Sequence, residues 1–141
     1  MASQSFYDAW APRAIAVLRI VTSFLFLQHA TAKLFHVPHV AAFDALQPMT
    51  FYWYVGVFEL VFGGLLLIGL FSRLAAFLLS GQMAVAYFMA HAPRGNVLSP
   101  ILNQGESAVM FCFIFLALAA VGPGAWSIDG ARGRAGMPAL S

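Results

Sequence analysis

Four stretches of the chain are nearly free of polar side chains, and each ends in a cluster of turn-forming residues. They cover about 14–34, 51–71, 74–92 and 106–122. A helix needs roughly 20 mostly apolar residues to cross the hydrocarbon core, so each stretch reads as a span. The polar positions between them act as punctuation. Pro12 sits just ahead of the first span, where a proline is well tolerated. His36-Val-Pro-His39 and Gln47-Pro48 break the pattern before the second, and Ser72-Arg73 leaves room only for a tight turn before the third. The second and third helices are therefore expected to be antiparallel neighbours. Pro93-Arg94-Gly95-Asn96 ends the third, Ser99-Pro100 starts a helical run into the fourth, and Gly122-Pro123-Gly124 stops it. The expected fold is all-α, an integral membrane antiparallel four-helix bundle over residues 13–129. An N-terminal cytoplasmic segment, 1–12, and a flexible C-terminal tail, 130–141, flank it.

Composition agrees. The chain has 141 residues, 62% hydrophobic and 9% charged, whereas a water-facing surface needs roughly 25–35% charged side chains. A soluble monomer is excluded on that ground, and a net charge of +2 is too small to point to nucleic acid. The bilayer is the first partner. Basic residues near the span ends set the orientation: Arg13, Arg73, Arg132 and Arg134 fall on one side, Lys33 and Arg94 on the other. Both termini are thus expected in the cytoplasm, with the chain in the plasma membrane. Phe51-Tyr-Trp-Tyr54 then lies at the outer interface. Ala30-Thr31-Ala32 also resembles a signal-peptide cleavage site, but the preceding region is long, carries Asp8 and lacks a basic cluster. Ala76, Ser80 and Ala84 on the third span, with Gly56, Gly63 and Gly64 on the second, are small residues suited to close helix packing or to a homo-oligomer. Phe111, Phe113 and Phe115 read as lipid-facing or core filler, and Cys112 as a small buried apolar residue.

Ionisable residues inside a span are costly, at least ~2.5–3.5 kcal/mol at mid-helix, and mark candidate sites. Here they are Arg19, His29, Lys33, Glu59, His91 and Glu106, with Gln82 as a neutral companion. From the helical rise, Glu59 lies about 3 Å and His29 about 7–8 Å to the outer side of the midplane; Lys33, His91 and Glu106 lie about 12–14 Å out. A polar pocket near the outer leaflet, built from His29, Lys33, Glu59, Gln82, His91 and Glu106, is expected. Its anticipated contacts are His29 with Glu59, and Lys33 or His91 with Glu106. Arg19 sits about 7–8 Å to the inner side. Its side chain and that of Glu59 lean apart, so it is expected to reach inner headgroups or a polar group of the fourth helix. The plainer reading of the whole set is a static polar network that holds helix register.

No metal is assigned. His36, His39 and Asp44, with His91, are weak ligand candidates in a loop. A bis-histidine haem would need His29 and His91 at one depth, and they are offset by about 4–5 Å. Phosphate-loop, dinucleotide and nucleophile–base motifs are absent from the sequence.

These residues fall into an ordered set. Arg19 with His29-Ala-Thr-Ala-Lys33-Leu comes first, then Gly56-Val-Phe-Glu59-Leu and Gly63-Gly64-Leu-Leu-Leu-Ile-Gly69-Leu-Phe-Ser-Arg73. His91-Ala-Pro-Arg-Gly95, Asn103-Gln-Gly-Glu106 and Gly122-Pro-Gly-Ala-Trp126-Ser-Ile-Asp129 complete it. In this the chain resembles the DoxX family of small four-helix membrane proteins, from about Arg13 to Asp129. The resemblance implies a membrane subunit or anchor of a redox-linked system, similar to the membrane subunits of thiosulfate:quinone oxidoreductases. Redox-enzyme proteins are the implied partners, and a quinone the implied cofactor, with a small sulfur compound as another ligand for the pocket. The catalytic residues stay unassigned. A small-molecule carrier or exporter and a non-catalytic membrane scaffold are the alternative readings.

Overall fold

The structure is a computed structural model that describes residues 2–135. It is all-helical among those residues: α1 (Ala2–Phe35), α2 (Phe51–Ile68), α3 (Ser72–Ala86), α4 (Pro100–Asn103), α5 (Glu106–Val121) and α6 (Ile128–Ala135). Three helical stretches, Ser3–Phe35, Phe51–Ile68 and Ser72–Arg94, are long and apolar enough to cross a membrane. The fourth apolar helix, Glu106–Val121, is shorter.

Two boundaries differ from expectation. The helix α1 starts well before Pro12 and takes that proline into its interior. A proline inside a helix gives up one backbone bond, yet the Pro12 carbonyl gains another acceptor role, taking the Ala125 N–H at 2.9 Å. The expected run from Ser99-Pro100 into the fourth span is interrupted. The helix α4 stops after one turn, where Gln104 adopts a left-handed conformation (φ 62°) and Gly105 follows. At the far end of α3 the chain widens into a π-helical turn, Tyr87–His91, and then a 3-10 turn, Ala92–Arg94.

Helices α1 and α2 share a long interface, as do α3 and α5. Along the first, Gly56 meets Lys33 and Leu34, Gly63 meets Leu27 and Phe26, and Gly69 meets Arg19. Residue numbers fall on α1 as they rise on α2. Phe26, Leu66, Ala75, Ala76, Leu79, Met83, Phe115 and Leu118 form the core. Ser80 donates to the Cys112 carbonyl at 2.8 Å, so Ala76 and Ser80 face α5 of the same chain. Gly64 makes no close contact and is not part of a packing face. Phe115 is core while Phe113 is exposed. Phe24, Val61, Phe77 and Phe113 leave an apolar outer surface, which suits lipid far better than water.

The segment after α5 departs most from expectation. It folds back beneath the turn between α2 and α3 and ends in α6, whose residues 130–135 lie within the expected tail. Gly69 is left-handed (φ 73°), and a Cβ there would lie 2.4 Å from that of Ser127, so glycine permits both the turn and the docking. The Asp129 N–H donates to the Gly69 carbonyl at 2.8 Å. Its carboxylate accepts from the backbone N–H groups of Phe71 (2.9 Å) and Ser72 (2.8 Å). Phe71, at the start of α3, offers no side-chain acceptor for the first-turn amides, and Asp129 supplies it from 57 residues away. Residues 136–141 of the expected tail lie outside the described residues.

This cap is pH-sensitive. Burial tends to raise the Asp129 carboxyl, but hydrogen bonds from Ser72 and Phe71 and the charge of Arg132 outweigh it and hold the group below its ordinary value. A depressed carboxyl stabilises the fold fully above the unfolded value near 3.9 and loses that contribution as pH falls through the folded one. Asp129→Asn is expected to melt lower than the parent at pH 7, with the gap narrowing as pH falls below about 4. Melting curves of both proteins in one detergent across that range check it; a gap independent of pH would refute the charged cap.

Candidate functional site

The site begins with a close approach. Gly56 has no side chain, and a Cβ added to it would sit 3.2 Å from the Cβ of Lys33. Helices α1 and α2 therefore come together where α1 nears its end and α2 has just begun. In a helix the side chains tilt toward the N-terminus. With the two chains running in opposite order along this interface, Lys33 and Glu59 lean toward each other. The Lys33 Nζ donates to both carboxylate oxygens of Glu59 at 2.8 Å. Lys33 is 9% and Glu59 1% exposed, so the pair is a buried salt bridge. From α3, the Gln82 amide donates to Glu59 Oε1 at 2.9 Å. Its own Oε1 is buried with no hydrogen-bond partner.

The expected pairing of Lys33 with Glu106 is thus corrected. Depth along the helix axis separated Lys33 from Glu59, but it ignored the long lysine stem and the opposed tilt, which close the gap. His29 with Glu59 is corrected too. The carboxylate is occupied by Lys33 and Gln82, and the His29 ring packs against Phe26 and edge-on to Phe111, with centroids 6.3 and 5.9 Å away.

A cavity of about 210 Å³ opens over the pair. His29, Lys33, Glu59, Gln82 and Ser107 contribute polar groups to its lining from four helices, while Phe51, Val55, Met83, Ala86, Ala108 and Phe111 form most of the apolar wall. Phe43, from the loop after α1, stands 5.6 Å from the Lys33 ammonium, in cation–π range. Two anticipated members are elsewhere. His91 turns its Nδ1 to the Asn103 carbonyl at 3.2 Å, and Glu106 is exposed at the start of α5. Neither lines the cavity. Nine residues make roughly two and a half helical turns, so His91 faces away from the side of the helix that carries Gln82, and the break at Gln104–Gly105 places Glu106 at the start of a new helix. Phe43 and Ser107 line the cavity and were not anticipated; nothing in their local pattern separates them from ordinary loop and helix positions.

Arg19 occupies a second polar centre at the opposite end of α1's contact with α2. It is fully buried. Its guanidinium donates to the carbonyls of Pro123, Ala125 (3.2 Å) and Trp126 (2.8 Å). The expected reach to lipid headgroups, or to the fourth helix itself, is replaced by a grip on the backbone just beyond that helix. Its geometry is that of a structural clamp, because every acceptor is a peptide carbonyl that would otherwise lack a donor.

The family model for DoxX matches residues 14–92, more than half of the chain. The chain belongs to the DoxX family. The match covers His29, Lys33, Glu59 and Gln82 of the cavity of this DoxX protein, and Arg19 as well. An uncharacterized protein of Haemophilus influenzae is 39% identical over 124 residues, covering 86% of this chain and 92% of its own length. No solved structure matches the chain. Family, helix lengths and apolar surface together make it a membrane protein with transmembrane helices.

Proposed function

We propose that this DoxX protein is an integral membrane subunit of a redox-linked system, and that its cavity takes the headgroup of a quinone. The observation that carries the reading is the Lys33–Glu59–Gln82 triad at the floor of an apolar cavity. An intramembrane ion pair is expensive and marks function by default. The residues fit a quinone head. Two of the three Lys33 N–H groups go to Glu59, leaving one for a carbonyl oxygen, and the His29 ring supplies a second nitrogen at the wall. Phe111 and Phe51 supply flat apolar surface. A bound quinone would bring the electron-transfer chemistry; the chain's own residues orient the head, exclude water and hold a proton at Lys33 Nζ. The Ala76–Ser80 stripe is turned toward α5, which favours a ligand-binding subunit over a scaffold that oligomerises through that stripe.

In this reading α1, α2, α3 and α5 form an antiparallel four-helix bundle within a membrane domain of 13–129, and α5 crosses where the bilayer thins to meet it. The opposite order of contacts along α1 and α2 supports that arrangement. The distribution of basic residues supports cytoplasmic termini in the plasma membrane, with the cavity toward the outer leaflet. Redox-enzyme proteins are the partners.

The test is binding of a short-chain benzoquinone to the protein in lipid nanodiscs, read by native mass spectrometry. Binding is expected, and Lys33→Met/Glu59→Leu, which removes both charges together, is expected to weaken it about ten-fold or more. No binding, or binding indifferent to that double substitution, overturns the reading.

A further inference from the structure

The cavity does not end at its polar floor. A second cleft, of about 270 Å³, runs along α2 and is lined by Phe51, Tyr54, Val55, Phe58 and Gln82. It shares Phe51, Val55 and Gln82 with the first, so the two adjoin. The cleft exists because α2 and α3, though joined by a tight turn, touch over far less of their length than α1 with α2 or α3 with α5. Away from the turn a crevice separates them, with Gln82 at its bottom.

Polarity is graded along this path. The charged pair is buried, whereas Phe51 on α2 and Val85 and Met89 on α3, which also line the cavity, are exposed and apolar. They belong to the same surface that the hydrocarbon of the bilayer would cover. A water-soluble ligand has no reason to pass an apolar mouth to reach an ammonium group. A lipid-soluble one, with a compact hydrogen-bonding head and an apolar chain, matches both ends of the gradient. Lipid tails are as apolar as the crevice wall, so the chain gains packing contacts and loses no solvation there.

We propose that the crevice between α2 and α3 is a lateral portal: the ligand enters from the bilayer, its head settles on Lys33, Glu59 and Gln82, and its chain stays in the crevice along Phe51, Val55 and Phe58. This inference rests on the reading of the cavity as a quinone-head site and adds the route and the chain-binding half. It makes the ligand an alkyl- or isoprenyl-substituted carbonyl compound presented by the membrane, not a solute delivered from water.

The experiment uses the unaltered protein in nanodiscs and a benzoquinone whose alkyl chain carries a diazirine close to the ring. After photolysis the labelled residues are mapped by peptide mass spectrometry, with and without an excess of benzoquinone lacking the chain. Labelling at Tyr54–Phe58 and Val85–Met89 that falls about ten-fold under competition is the expected result, a ratio set by displacement at the head. Competed labelling on the outer faces of α1 and α5, such as Phe24 or Phe113, overturns the portal and leaves the head site standing. Labelling that competition leaves unchanged everywhere overturns both.

Discussion

Glu59→Ala is expected to destabilise the protein by about 3–5 kcal/mol, because removing one partner leaves the other charge buried and unpaired. The carboxylate accepts from Lys33 twice and from Gln82 once. Without it the Lys33 ammonium keeps the Phe43 ring beside it but no hydrogen-bond acceptor among the described residues, and Gln82 loses its donor contact to the carboxylate. Lys33→Met/Glu59→Leu removes both charges and fills similar volume, and is expected to recover most of that loss, since apolar replacement of a buried pair is often neutral or stabilising by about 1–4 kcal/mol. Unfolding of all three proteins, followed by helical circular dichroism in one detergent series, checks the pattern. The double variant separates the two roles of the pair. It should fold like the parent yet fail in the quinone binding described above. A double variant as unstable as Glu59→Ala would mean that the charges themselves, and not their balance, hold the helices.

Arg19→Ala is the second large effect. It removes a fully buried guanidinium and frees three part-buried carbonyls, on Pro123, Ala125 and Trp126. Hydrogen bonds to a charged donor contribute about 1.5–3 kcal/mol each, and orphaned acceptors add their own desolvation penalty. A total loss of about 3–5 kcal/mol is expected, because three such bonds are lost together. Because Asp129 also ties this segment to the start of α3, the damage should be local at first. Limited proteolysis should cut Arg19→Ala between Gly122 and Asp129 well before the parent is cut anywhere. Arg19→Lys keeps the charge but lacks the planar fork of donors; it should restore less than half of the lost stability. Equal proteolytic resistance of Arg19→Ala and the parent would show that Asp129 and Gly69 hold the segment without the clamp.

The two polar centres differ in how far they could be read in advance. His29, Lys33, Glu59 and Gln82 stand out because polar side chains within apolar runs are rare, and they do meet in one cavity. Their pairing could not be read with the same ease. Depth along a helix axis treats each residue as a point, while a lysine stem and two opposed side-chain tilts span the difference. His91 and Glu106 were placed by assuming regular helices up to their positions. Depth says nothing of the helix face, and His91, roughly two and a half turns past Gln82, faces away from it, while a break at Gln104–Gly105 starts a new helix at Glu106. For Arg19 the residue was legible and its partners were not. Backbone carbonyls carry no sequence signal, and Pro123–Trp126 lie more than a hundred residues away.

The sequence by itself determined what depends on counting side chains. A chain with 62% hydrophobic and 9% charged residues, gathered into apolar runs of about 20, reads as helical in lipid, because a helix satisfies its backbone donors and acceptors within one segment. That reasoning is local, and it yields the spans, their turns and the scarce polar positions within them. The tertiary structure alone decided which of those positions touch. The missing Cβ of Gly56 sets how near α1 comes to α2, and so brings Lys33 to Glu59. The missing Cβ of Gly69 lets Ser127 dock, and so delivers Asp129 to α3 and the carbonyls before it to Arg19. Contacts of this kind depend on the distance between backbones, a quantity that no single segment contains.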